Sequence, residues 1–117
     1  MRQAFLFSCL LLSMHASAGQ VEIVAVRSVQ TSPELYRIDV TLRHADTGWD
    51  HYADGWEVMS VEGKPLAERI LYHPHVNEQP FTRSLSGVRI PSGETEVIIR
   101  ARDKVHGYTQ GRFPLGD

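Results

Sequence analysis

LYRIDVTLR, residues 35–43, alternates without a break: Tyr36, Ile38, Val40 and Leu42 fall on one side, Arg37, Asp39, Thr41 and Arg43 on the other. A period of two is the mark of a β-strand with one face buried. TEVIIRARD, residues 95–103, repeats it, with Val97, Ile99 and Ala101 opposed by Glu96, Arg100 and Arg102. VEIVAVRSV, from Val21, is rich in β-formers, though its inward face is ambiguous. WEVMSV, from Trp56, and PLAERILYH, from Pro65, flank Glu62-Gly63-Lys64, which suits a tight hairpin turn. FTRSL and VRI carry an extended segment through residues 81–90 to the turn Pro91-Ser92-Gly93. GRFPL, residues 111–115, reads as a last edge strand, where Pro114 is tolerated. No window carries a helical period and nothing repeats. The expectation is an all-β, antiparallel β-sandwich of about seven strands.

GVRIPSGETEVIIRARD resembles the stretch from the fifth to the sixth strand of fibronectin type III and related immunoglobulin-like domains. The resemblance implies an immunoglobulin-like sandwich, with Trp56 as the buried tryptophan of its third strand. The chain departs from the antibody-type pattern: it has no cysteine pair, and Glu96 and Val97 fall where a corner tyrosine is expected. GWDHYADGWEV and HPHVNEQPFTRSL resemble segments of small exported bacterial proteins, a likeness that implies no activity.

Residues 1–18 read as a secretory signal peptide. Arg2 supplies the positive start, Ala4–Leu12 the short apolar run, and Ala16-Ser17-Ala18 the small-residue cleavage site before Gly19. No other apolar run approaches the roughly 20 residues that cross a membrane. The expected product is one domain, residues 19–117, periplasmic or secreted. The formal net charge of −2 becomes −3 once Arg2 leaves, which gives no electrostatic case for nucleic acid or an anionic membrane. The single cysteine, Cys9, leaves too, so neither a disulfide nor a thiolate ligand is expected. Met59 is then the only methionine, and soft sulfur ligands for Cu(I) are lacking.

Histidine is the residue that remains to be explained. Antiparallel strands reverse direction at each turn, so the loops after residues 43, 72 and 103 should share one pole. HADTGWDHYAD, HPHVNEQP and DKVHGYTQG hold all five histidines beyond the leader. Neutral imidazole is the commonest nitrogen ligand for divalent transition metals. His51, His73, His75 and His106 are therefore candidate ligands for Cu(II) or Zn(II). Pro74 favours an extended His73-Pro74-His75, which would turn both rings to one side. Glu78, Asp50 and Asp54 could add oxygen ligands or orient the imidazoles. His44 is expected to be a solvated loop residue, and Arg83 to pair with Glu78. Trp56 is expected in the core. Trp49, Tyr52 and Tyr108 suggest an alternative: a metal-free module whose loops bind a protein or glycan partner. No enzyme is expected. His51 beside Asp50 is the nearest approach to an acid–base pair, and Ser84 and Ser86 lie in a strand without a nucleophile elbow.

Overall fold

The computed structural model describes residues 19–116, so the predicted leader, residues 1–18, lies outside the described residues. Seven strands follow in order: β1 (Glu22–Ser32), β2 (Leu35–Arg43), β3 (Ala53–Met59), β4 (Pro65–Ile70), β5 (Phe81–Arg89), β6 (Glu96–Asp103) and β7 (Gly107–Pro114). They form two antiparallel sheets, ordered β1-β2-β5 and β4-β3-β6-β7. The chain is an all-β sandwich. No helix long and apolar enough to cross a membrane occurs among the described residues.

The alternation seen in the sequence is the alternation seen in space. Ile38, Val40 and Leu42 of β2 face Val97, Ile99 and Ala101 of β6 across the core, joined by Trp56, Val58, Phe81 and Val88. Trp56 is fully buried, as its place in the pattern predicts. β1 reads ambiguously for a physical reason: its pairing with β2 shifts register at Ile23/Ala25 and again at Gln30/Ser32. A bulge swings successive side chains off the strict period of two. β3 begins earlier than its apolar run, at Ala53, because a bulge between Ala53 and Gly55 lets the polar Asp54 step outward while the ladder to β6 continues.

The hairpin at residues 60–64 closes through Ser60 N–H to Lys64 O (2.8 Å) and Gly63 N–H to Ser60 O (2.9 Å). Gly63 takes a φ of +92°, a conformation that glycine adopts without strain. This turn and the one after β5 lie at one pole. The loops following β2, β4 and β6 lie at the other, as strand counting predicts.

Candidate functional site: a histidine–carboxylate cluster at one pole

The inward stripes of the sandwich do not stop where the strands stop. Beyond Leu42, the buried alternation continues through His44 and Asp46; beyond Ala101 it continues to Asp103. Each sheet thus delivers polar groups to the end of the apolar core, and the side chains of all three are shut off from solvent.

His44 Nδ1 lies 2.5 Å from Asp46 Oδ1. A carboxylate can only accept, so the proton sits on Nδ1. His44 Nε2 lies 3.1 Å from Asp103 Oδ2 and 3.0 Å from the Gly19 carbonyl oxygen. With Nδ1 already protonated, three lone-pair atoms meet there. That arrangement calls for a positive charge: a second proton on the ring, or a metal ion.

Two more imidazoles converge on the same oxygen. His51 Nε2 is 3.6 Å and His106 Nδ1 3.3 Å from Asp103 Oδ2, and these two nitrogens are 3.1 Å apart. His51 is set by a small turn, with a bridge between Gly48 and His51 and a hydrogen bond from Thr47 N–H to His51 O (3.1 Å). His106 is set by Asp103 itself, whose Oδ1 accepts the backbone N–H of Val105 (2.7 Å) and of His106. Burial alone would raise the Asp103 carboxyl, but those two N–H groups and the charges of His44 and His106 outweigh it and hold the group below its ordinary value. Ligand atoms of His44, His51 and Asp103 all lie within 4.8 Å of one another, close enough to hold one metal ion.

The loop of residues 71–80 builds a second arrangement beside the first. Asp46 Oδ2 accepts the His75 backbone N–H (2.7 Å) and sits 4.0 Å from His75 Nδ1. His75 stacks on Phe81 with centroids 4.0 Å apart. The Arg83 guanidinium donates to His75 Nε2 (3.0 Å) and to Glu78 Oε1 (3.2 Å). Arginine can only donate, so His75 is the neutral Nδ1–H tautomer with Nε2 engaged. Burial first, and then the Arg83 charge, push the His75 ring below its ordinary value, against the pull of Glu78 and Asp46. Gln79 clips this loop to β2, its Oε1 accepting His44 N–H (3.0 Å) and its Nε2 donating to His75 O (2.9 Å).

The three loops converge, but the predicted set of residues divides. His51 and His106 join the cluster. His73 and His75 do not: His73 is exposed with its ring 5.2 Å from that of His75, and no ring contact or hydrogen bond joins either to His44, His51 or His106 among the described residues. The nominated acids lie elsewhere as well. Glu78 pairs with Arg83, as expected; Asp54 pairs with Arg102 (3.2 Å); Asp50 sits on an exposed turn. His44, expected to be solvated, is the most enclosed of the described histidines, and Asp46 and Asp103 lie outside the predicted set. The parity of β2 and β6, carried two residues past Leu42 to His44, four to Asp46, and two past Ala101 to Asp103, points to all three. Among the aromatics, Trp49 is 64% exposed beside a buried Tyr52, while Tyr108 lies under the Arg100 guanidinium, 3.7 Å away.

The chain is similar to a protein of Halomicrobium mukohataei named "Putative lipoprotein", 38% identical over 89 residues. The matched stretch is 76% of this chain and 43% of that protein, so the chain spans less than half the length of its relative. No protein-family model and no solved structure matches the chain.

Proposed function

We propose that the protein is an exported, single-domain binding protein that holds one divalent transition metal ion at this pole, with His44, His51, His106 and Asp103 as ligands and Asp46 orienting His44. The observation that carries the reading is the meeting of three ring nitrogens on one carboxylate oxygen, at 3.1, 3.6 and 3.3 Å. Ligands about 2.0–2.1 Å from a tetrahedral ion stand about 3.3 Å apart, and these three spacings are close to that edge length. Asp46 supplies the carboxylate–histidine support usual behind a ligating imidazole. Zn(II) fits the edges at Asp103, and the ligand atoms of His44, His51 and Asp103 lie within 4.8 Å of one another, so the rings close up by a small movement to share it. Cu(II), which prefers a flatter square of ligands, fits after small ring movements.

Export is supported by the residue 1–18 pattern and by the name of the Halomicrobium mukohataei protein. An immunoglobulin-like reading of the sandwich is supported by the strand order, in which β4 joins the β3-β6-β7 sheet rather than β5. The role is capture, delivery or locking of the loops, not catalysis. Ser84, the nearest thing to a nucleophile in the sequence, gives its hydroxyl to Asp39 (2.6 Å) on an exposed face.

The test is a titration of tag-free, metal-depleted protein with Zn(II) and Cu(II). Stoichiometric binding tighter than micromolar is expected. The double variant His51→Ala/His106→Ala should abolish it, while His73→Ala should leave it unchanged. Failure of the native protein to bind either ion, or an undiminished double variant, removes the reading. A second reading is favoured by one observation: Trp49, His73, Val76, Asn77, Glu78 and Arg83 line an open groove of mixed character, which suits a glycan or peptide.

A further inference from the structure

Gly19 is where the sequence places the cut that releases the leader, and it is also where the backbone meets the histidine cluster. Its carbonyl oxygen stands 3.0 Å from His44 Nε2. The imidazole of His106 lies across its Cα: a Cβ built there would fall 2.6 Å from Cε1 and 2.8 Å from Nε2. Its φ is +88°, so the position rejects a side chain both by conformation and by space. A solvent-facing end of a domain has no need of such a fit.

We propose that the metal centre is completed by the mature amino terminus, so that removal of the leader is the step that finishes the site. The proposal rests on the metal reading above. A signal peptidase hydrolyses the Ala18–Gly19 bond with one water: Ala18 keeps the new carboxylate, and Gly19 keeps the new α-amine. An amide nitrogen in the unprocessed chain has no lone pair to give a metal at neutral pH. The α-amine that hydrolysis leaves on Gly19 has one to give once a metal displaces its proton. That amine and the Gly19 carbonyl oxygen belong to one residue and can close a five-membered ring on a single ion. The carbonyl already stands among the acceptors around His44 Nε2, so the cation that relieves their crowding is the one the amine would bind.

The experiment compares the protein beginning at Gly19, its end verified by mass spectrometry after export, with the same protein carrying Ser-Ala ahead of Gly19. Both are titrated with Cu(II) and with Zn(II) against a competing chelator, and the Cu(II) forms are examined by electron paramagnetic resonance. The extension should weaken binding at least about 10- to 100-fold, the scale of losing even an outer partner of a metal ligand. It should also change the nitrogen hyperfine pattern while circular dichroism stays the same. Equal affinities with superimposable spectra overturn the proposal and leave the side-chain site standing. An exported chain that begins elsewhere than Gly19 overturns it as well. If neither form binds metal, the metal reading itself falls and takes the proposal with it.

Discussion

His44, just past the end of β2, and Asp103, the last residue of β6, stand 59 residues apart in the chain and meet at 3.1 Å with neither side chain touching solvent. Each is the next inward position after an apolar stripe: Leu42 precedes one, Ala101 the other. The contact therefore joins the two sheets at the point where apolar packing runs out. Asp103→Asn keeps the shape and removes the charge. It should cost about 1–3 kcal/mol of stability, the scale of a buried group left with the wrong partner. It should also abolish metal-dependent stabilisation, which for the native protein is about 2.7 kcal/mol at a free ion concentration 100 times Kd. Thermal unfolding with and without Zn(II) reads both. A native protein whose stability ignores the ion counts against a metal at this site.

Asp46 serves three groups at once: His44 Nδ1, Ala53 N–H (3.1 Å) and His75 N–H (2.7 Å). Asp46→Asn leaves one oxygen where two are needed and turns an amide donor toward donors. Metal affinity should fall about 10- to 100-fold through loss of His44 orientation. Chelator competition measures this, and a retained affinity would show that His44 is positioned without Asp46.

His75 sets a pH dependence whose sign is fixed. Its ring titrates below the ordinary 6.5, chiefly through burial and then through Arg83. Below pH 6.5 the unfolded chain takes up a proton that the fold resists. The contribution of His75 to stability is therefore complete above that pH, falls as the pH drops from 6.5 toward the lowered folded value, and then levels. In an NMR titration the His75 ring should have a midpoint below 6.5, and Arg83→Met should raise it. A midpoint at or above 6.5 in the native protein contradicts the burial seen here.

The two tryptophans should behave as opposites. Trp56→Ala empties a fully buried site and should cost about 3–5 kcal/mol. Trp49→Ala, at an exposed position, should change stability by no more than about 0.5 kcal/mol. Acrylamide should quench Trp49 strongly and Trp56 hardly at all, which single-tryptophan variants can verify.

The strands were legible because β2 and β6 obey a strict period of two, and because turns such as residues 62–64 and 91–93 carry glycine where a tight reversal needs it. The shared pole followed from counting reversals. The membership of the site did not follow, since His73 and His75 sit on one extended segment, which suggests a shared target without establishing one. In the fold, Arg83 arrives from β5, eight residues on, and takes Nε2 of His75, a contact that the turn between them makes and spacing alone does not reveal. His44, Asp46 and Asp103 do not stand out in the sequence because polar residues at or just past the end of a strand usually face water. Here the alternation outlasts the strand, and parity rather than polarity decides which way they point.

Asp46 and Gln79 also determine how the pole opens. The amides of Ala53 and His75 end on Asp46, the amide of His44 ends on Gln79, and Gln79 in turn holds the carbonyl of His75. None of these loops can lift away alone without stranding a buried donor of another. In native-state hydrogen exchange, the amides of His44, Ala53 and His75 should therefore exchange through a single shared opening, a cooperative unit drawn from the β2–β3 and β4–β5 loops rather than two independently fraying ones.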